Sequence, residues 1–159
     1  NVIQDKVEYK HKESSKAIRS AMGAVVNRTI VEKRGHLVPV TYPFVIDNSF
    51  ETLTKTSKVK EVLEALGFKD ELARSAVKKI RAGIGKLRGR RYRRKKGILI
   101  VVGKEDCPVV SAAQNLAGID IVPVQSLNVE LLAPGALPGR VTLWTKDAIE
   151  LIEKENLFI

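Results

Sequence analysis

The residues best suited to chemistry in this sequence are the cations between positions 78 and 96. Eleven of the 28 Lys and Arg residues lie in this stretch, which contains no acidic residue. The other 17 basic residues are balanced by 18 acidic ones, so one short segment carries all of the net charge of +10. A generally basic protein would spread its charge, whereas concentration of this kind is typical of a site that binds a polyanion.

Three residue types within this basic segment suit contact with nucleic acid. An arginine guanidinium can donate two hydrogen bonds to one phosphate, and glycines let the backbone approach a ligand closely. Tyr92 lies among arginines, where its ring could stack on an unpaired base. The predicted RNA-contact residues are Lys78, Lys79, Arg81, Gly83, Gly85, Lys86, Arg88, Gly89, Arg90, Arg91, Tyr92, Arg93, Arg94, Lys95 and Lys96.

Two other interpretations of the basic segment are less favoured. A solvated linker or localisation signal would be expected at a terminus, but this segment lies between a predicted helix and a predicted core strand. The stretch GIGKLRG (residues 83–89) resembles a dinucleotide-binding glycine pattern. However, it follows a helix instead of a strand, and its third glycine comes one residue late.

The side chains that could support thiol or metal chemistry are few. Cys107 precedes a predicted helix, whose dipole could lower the thiol pKa, but we interpret it as a turn or capping residue before Pro108. His11 and His36 have no metal-ligand spacing to each other or to this cysteine. We therefore predict no metal, no cofactor and no small-molecule substrate.

Carboxylates near strand ends leave an enzyme as an alternative. Asp47, Asp106 and Asp120 follow or begin predicted strands, where α/β enzymes often carry catalytic acids, although helix caps and turns use aspartate equally. An RNA-processing or RNA-modifying α/β enzyme would need a cofactor loop or an acidic cluster, and neither is visible. A free regulatory module that binds messenger RNA stays open, because the same basic segment could serve it.

The elements that would position the basic segment can be predicted from periodicity. In the first half of the chain, this periodicity is mainly helical. Apolar residues recur at helical spacing over residues 14–34, and Gly35 follows as a helix-ending glycine. Residues 42–48 form a short apolar run that predicts a buried strand. Two further amphipathic helices are predicted over residues 55–67 and 70–80.

The second half alternates between strands and helices. Its β-branched runs are typical of strands that are covered on both faces. Strands are predicted at residues 97–103, 119–124 and 140–145, and helices at 108–118, 127–135 and 146–156, the last with Thr145 as N-cap. The expected fold is α/β, a parallel sheet of about four strands covered by helices on both faces, with a basic RNA-binding loop.

The size and composition fit one domain. Apolar residues make up 44% of the 159 residues, enough to bury a core, and no run approaches the ~20 apolar residues of a membrane span. The chain begins without methionine, and residues 1–13 resemble a polar lead-in. We expect residues 1–159 to form a single α/β RNA-binding domain that is the C-terminal portion of a longer protein.

Several stretches together resemble a known family. The sequences AGIGKLRGRRYRRKKGILIVV and AAQNLAGIDIVPVQSLNVELLAPGALPGRVTLWTKDAIE are similar to the archaeal type of the universal L-four family of large-ribosomal-subunit proteins. The stretch KAIRSAMGAVVNRTIVEKRGH resembles that family's long helix. The resemblance places this helix near RNA and so implies secondary contacts at Arg19, Asn27, Arg28, Arg34 and His36.

The resemblance also implies a function. Members of this family bind large-subunit ribosomal RNA, contact neighbouring ribosomal proteins and support early subunit assembly, which implies a cytoplasmic location on the ribosome. The family's long extension into the peptide exit tunnel precedes the segment that matches this chain. No residue of this sequence is therefore assigned a tunnel-lining role.

Overall fold

The described part of the chain contains seven α-helices, six strands and four short 3-10 helices. The computed structural model describes residues 2–158, with side chains from residue 12 onward. The helices are α1 Val2–Val26, α2 Arg28–Lys33, α3 Thr56–Ala65, α4 Lys69–Ala76, α5 Pro108–Ala113, α6 Val129–Leu132 and α7 Lys146–Lys154. The strands are β1 Val45–Ile46, β2 Lys79–Ile80, β3 Tyr92–Arg93, β4 Leu99–Val102, β5 Asp120–Pro123 and β6 Thr142–Thr145.

Four strands form one parallel sheet in the order β1-β6-β4-β5. Leu99 at the start of β4 lies opposite Asp120 on one side and Thr142 on the other. This confirms the predicted four-stranded α/β sheet. The fourth strand is shorter than the apolar run 42–48 suggested, because only Val45 and Ile46 pair with β6.

Two apolar clusters, one on each face of the sheet, hold the helices. Alternate residues of β4 enter opposite clusters, with Ile100 and Val102 in one and Leu99 and Val101 in the other. All four side chains are fully buried, which explains the unbroken apolar run of this strand. Helices α2 to α5 cover the first face and α1, α6 and α7 the second, which confirms the prediction that helices cover both faces.

The single helix predicted over residues 14–34 is wrong. Helix α1 begins at Val2, so it includes most of the supposed polar lead-in, and the chain breaks at Asn27 before α2. The Asn27 side chain caps α2 by accepting a hydrogen bond from the Thr29 backbone N–H at 3.1 Å. The break lets Val25 pack on one face of the sheet and Val31 on the other, which one straight helix could not do.

The helix predicted over residues 70–80 is also too long. Helix α4 ends at Ala76, the backbone of Val77 is extended, and residues 79–80 form strand β2. The apolar spacing of Val77 and Ile80 fits a helix, but Ile80 pairs across to Tyr92 instead. Pairing with a strand that lies further along the sequence has overridden the local helical periodicity here.

The remaining core predictions are largely confirmed. Leu99, Val101, Ile121 and Leu143 are buried, and Trp144 is partly buried against the second cluster. Thr145 caps α7 as predicted, since its side chain accepts a hydrogen bond from the Ala148 N–H at 3.3 Å. Within residues 2–158, no helix is long and apolar enough to cross a membrane.

Candidate nucleic-acid interface

The basic segment folds into a two-stranded antiparallel hairpin, here called the basic hairpin (residues 78–96). Ile80 lies opposite Tyr92, and the Arg81 N–H donates to the Arg91 carbonyl at 2.9 Å. A short 3-10 turn at the tip is flanked by Gly83 and Gly89, which have φ angles of +83° and +73°. These angles favour glycine, so the glycines shape the tip as well as leaving it open to a ligand.

All eleven cations of the basic hairpin are exposed. Among the side chains that the structure describes, Lys96 alone of these eleven forms an ion pair, with Asp120 at 2.7 Å. Exposed cations at this density repel one another, because the other ten have no described carboxylate to neutralise them. The hairpin therefore offers an array of cationic donors that suits a row of phosphates.

Tyr92 is already in contact with a cation. The Lys78 ammonium lies 3.6 Å from the centre of the Tyr92 ring, and the Arg91 guanidinium carbon lies 5.6 Å from it. Tyr92 is 44% exposed. A base that stacked on Tyr92 would compete with Lys78 for the face that this ammonium covers.

The C-terminal end of the hairpin is tied to the body of the protein. Arg74 of α4 donates to the Lys96 carbonyl at 2.8 Å, and the Gly97 N–H donates to the Gly118 carbonyl at 2.8 Å. The Lys96 ammonium holds Asp120 at the start of β5. The side chains of Arg93 to Lys96 are thus presented from a fixed base.

Below this base lies a fully buried arginine. Arg140 donates to the Gly97 carbonyl at 2.9 Å, to the Leu131 carbonyl at 2.9 Å and to the Asp120 carboxylate at 2.5 Å. Burial disfavours the charge of Asp120, but the bonds from Lys96 and Arg140 outweigh burial and hold the pKa of Asp120 below its ordinary value. Arg140 therefore links the start of β5 to Gly97, which lies just before β4, through its hydrogen bonds.

A second buried network supports Arg74. Its guanidinium donates to both oxygens of Glu71, at 2.7 and 2.5 Å, and Glu71 also accepts hydrogen bonds from His36 Nδ1 at 2.7 Å and from the Leu37 N–H at 3.0 Å. Burial alone would raise the pKa of Glu71, but the bonds from Arg74, His36 and Leu37 lower it. This carboxylate fixes the arginine that holds the hairpin.

The suggested secondary RNA contacts lie in different environments. Arg19 is exposed on α1. The side chain of Arg28 is 37% exposed and is bonded to Glu32 and to the Val40 carbonyl, and the Asn27 side chain caps α2. Arg34 is partly buried, donates to the Pro134 carbonyl at 2.7 Å and has a pKa lowered by burial and by nearby arginines.

His36 is the secondary candidate with the least surface to offer. Its side chain is only 3% exposed and is bonded to Glu71 beneath the hairpin base. In this conformation the ring positions the Glu71 carboxylate and does not face solvent. Of the four charged or titratable side chains suggested, Arg19 offers the most accessible charge, followed by Arg28.

Cys107 is bound into a buried cluster. Its thiol lies 3.2 Å from Glu51, which also accepts hydrogen bonds from the Gly103 N–H at 3.1 Å and the Thr145 hydroxyl at 2.6 Å. Burial, reinforced by the Glu51 carboxylate, raises the pKa of Cys107, which is opposite to the lowering expected of a reactive thiol. Cys107 occupies the N-cap position before Pro108, as interpreted, although its side chain makes no capping hydrogen bond to α5.

The three aspartates near strand ends do not converge. Asp47 follows β1 and pairs with Lys146 at 2.6 Å, Asp106 is exposed after β4, and Asp120 begins β5 at the opposite end of the sheet. In the described part of the chain, no group of three or more His, Cys, Asp and Glu residues is placed to hold a metal ion.

Local sequence patterns do not mark the residues that support the hairpin. Arg74 contacts the carbonyl of Lys96 across 22 positions, and Arg140 contacts Gly97 across 43. Glu71 looks like an ordinary polar position of an amphipathic helix. The one available signal was the motif around Pro138, Gly139 and Arg140, which carried the family resemblance without revealing that its arginine is buried.

Comparison with known proteins agrees with this architecture. The model of the ribosomal protein L4/L1 family matches residues 5–155. The large ribosomal subunit protein uL4 of Archaeoglobus fulgidus is 49% identical over 142 residues, covering 89% of this chain and 56% of that relative. The proteins of the same name from Methanospirillum hungatei and Methanosphaera stadtmanae are 46% and 48% identical over 91% and 87% of this chain.

This chain spans about half the length of these relatives, with 57% and 54% of the two latter proteins covered. The family match nevertheless includes the whole sheet, both helical layers and the basic hairpin. The chain belongs to the ribosomal protein L4/L1 family.

Proposed function

We propose that this protein is a structural constituent of the large ribosomal subunit that binds ribosomal RNA through the basic hairpin and supports subunit assembly. The single observation that carries the proposal is an exposed hairpin with eleven cations, of which one is paired with a described carboxylate. The names of the archaeal relatives support the assignment to the large subunit. Its partners are large-subunit RNA and neighbouring ribosomal proteins, in the cytoplasm.

The mechanism is positioning, without catalysis. The α/β body fixes the hairpin base through Arg74 and Arg140, and the exposed guanidinium groups neutralise closely spaced phosphates. Arg19 and Arg28 on the first two helices supply secondary contacts. Neither a cofactor nor a metal is required for this role.

Salt dependence of RNA binding tests the proposal. Neutralising roughly 5–8 phosphates gives a slope of log K against log salt of about −4 to −7. Replacing Arg90, Arg91, Arg93 and Arg94 by glutamine removes four charges and is expected to flatten this slope by about 3 units. The measurement is a filter-binding or fluorescence titration with deproteinised large-subunit RNA across a salt series.

A control variant separates a local contact from the effect of net charge. Replacing Lys55, Lys58, Lys69 and Lys104 by glutamine also removes four charges, but from exposed positions of the body. This variant is expected to keep a slope close to that of the parent chain. If both variants change the slope equally, the basic hairpin is not the RNA-binding site.

A further inference from the structure

A polar cavity lies next to the base of the basic hairpin. It has a volume of about 360 Å³ and is lined by Arg94, Lys95 and Lys96 and by the segment that connects α5 to β5, residues 114–119. Groups of small-molecule size typically occupy pockets of about 300–1,000 Å³. The space is therefore large enough for one planar ring and its immediate attachments, but not for a duplex.

The two walls of the cavity differ in chemistry. One wall carries Arg94 and Lys95, which are exposed, donate only and attract anions. The other carries Gln114 and Asn115, which are exposed and whose amides have no side-chain hydrogen bond to any described residue. An amide both donates and accepts, so this uncharged wall suits the edge of a nucleobase better than a phosphate.

Close packing fixes the distance between the walls. The Ser75 hydroxyl donates to the Ala117 carbonyl at 2.9 Å, and the Gly97 N–H donates to the Gly118 carbonyl at 2.8 Å. A Cβ atom on Gly118 would lie 2.8 Å from the Ser75 Cβ and 2.9 Å from the Lys95 carbonyl oxygen, and its φ is +79°. Only glycine fits here, so the Gly118 backbone packs directly against Ser75 and the Lys95 carbonyl.

The one acidic residue in the cavity does not oppose an anionic ligand. Asp120 also lines the cavity, and its carboxylate accepts hydrogen bonds from Lys96 at 2.7 Å and from Arg140 at 2.5 Å. The two positive charges of Lys96 and Arg140 outweigh the single negative charge of Asp120. The net charge around the cavity is positive, as a phosphate-bearing ligand requires.

We propose that this cavity receives a single unstacked nucleotide of the bound RNA, with its phosphate against Arg94 and Lys95 and its base edge against Gln114 and Asn115. This inference rests on the proposed RNA-binding function and adds sequence selectivity to it. Contacts to phosphates position a protein on RNA without reading sequence, whereas amide contacts to base edges discriminate between bases. Unpaired bases in loops and bulges are accessible to such contacts.

The test compares a specific and a nonspecific RNA. The variants Gln114→Ala, Asn115→Ala and their combination are titrated with deproteinised archaeal large-subunit RNA and with poly(U). We expect the double variant to bind the ribosomal RNA about 10-fold or more weakly, since a lost base contact commonly has this effect. Binding to poly(U) and the salt slope on both RNAs stay unchanged, because no charge is removed.

Gln125→Ala is the matched control, because Gln125 is an exposed amide outside the cavity. It is expected to bind both RNAs like the parent chain, and all variants should show the parent's thermal midpoint. Unchanged ribosomal RNA binding in the double variant overturns the inference, and so does an equal loss on poly(U). If the arginine variants flatten the salt slope while the amide variants have no effect, RNA binding by the basic hairpin is supported and the nucleotide site in the cavity is contradicted.

Discussion

Arginine occupies opposite surroundings in the body of this protein and in its basic hairpin. In the body, Arg140 is 0% exposed, and its guanidinium donates to backbone carbonyls and to Asp120. In the hairpin, Arg88, Arg90 and Arg94 are exposed and have no carboxylate partner among the described side chains. The same side chain stabilises the fold where its donors are satisfied internally, and is available to a ligand where they are not.

Apolar residues show the same contrast. Leu99 in β4 is fully buried, whereas Ile84 and Leu87 in the hairpin are 68% and 81% exposed. The hairpin thus has no core of its own and is held by a short two-stranded ladder and its anchored end. Isolated two-stranded hairpins are marginally stable in water, so the body should fold independently and the hairpin should open readily.

Limited proteolysis should give the largest difference between the two regions. In the free protein, trypsin is expected to cut within residues 86–96 at least about 100-fold faster than at Lys58 or Lys60 on α3, which corresponds to about 3 kcal/mol less opening free energy. Large-subunit RNA should suppress the hairpin cuts. Cleavage products are identified by mass spectrometry over time. If the hairpin resists trypsin without RNA, the free hairpin is already rigid, and the predicted difference in opening between hairpin and body is wrong.

Truncating the buried arginine should cost the most stability. Arg140→Ala leaves the Gly97 and Leu131 carbonyls without this donor and Asp120 with Lys96 as its remaining cation, and is expected to lower the free energy of unfolding by about 3–5 kcal/mol. Arg90→Ala in the hairpin should change it by less than about 0.5 kcal/mol. Urea denaturation followed by circular dichroism measures both. Equal effects would contradict the separation of structural and ligand-binding arginines.

Leucine provides the apolar version of this test. Leu143→Ala in β6 is expected to cost about 2–5 kcal/mol because it leaves a cavity between the sheet and its helices. Leu87→Ala at the hairpin tip should be nearly neutral, since Leu87 is 81% exposed. The same urea titrations apply. A loss below about 0.5 kcal/mol for Leu143→Ala would show that the sheet is packed differently.

Acid should weaken the body through two carboxylates beneath the hairpin base, Glu71 and Asp120. The folded-state pKa values of Glu71 and Asp120 lie below the ordinary 4.5 and 3.8, so the folded protein binds fewer protons than the unfolded chain in this range. Their stabilisation is complete above about pH 4.5 and is lost as the pH falls through the folded values, by up to about 1.4 kcal/mol per pH unit for each proton. Urea midpoints measured from about pH 7 to about pH 3 report this loss.

The variant Glu71→Gln isolates one of the two groups. It should be less stable than the parent chain at neutral pH, because a neutral amide at this position would lack the charge that holds Arg74. Its stability should fall less steeply below about pH 4.5, since one titrating group is gone. An unchanged acid slope would exclude Glu71 as a contributor.

Substitution of the single cysteine should have the smallest effect. Cys107→Ser keeps a donor near Glu51 and is expected to change stability by no more than about 1–2 kcal/mol, with RNA binding unaltered. Urea denaturation and the RNA titration described above check both statements. Thiol-dependent catalysis, or stoichiometric zinc in the purified protein, would instead favour an enzyme.

Local sequence determined the elements whose residue pattern does not depend on contacts with distant parts of the chain. The β-branched run around Leu99 to Val102 could only be a strand covered on both faces, and the alternation that follows it implied a parallel α/β sheet. The concentration of charge over residues 78–96 marked the basic segment without any structure. Thr145 was recognisable as an N-cap because capping depends on neighbours three positions away.

Only the tertiary structure decided the rest, because the deciding contacts join residues that are distant in sequence. The helix pattern through Val77 and Ile80 gave way to pairing with residues 92–93, and the helix through Asn27 broke so that Val25 and Val31 could pack on opposite faces. Arg140 and Arg94 look alike along the chain. Hydrogen bonds to Asp120 and Gly97, which are 20 and 43 positions away, make Arg140 a buried structural residue. Arg94 is exposed and has no carboxylate partner among the described side chains, so its guanidinium is accessible to a ligand.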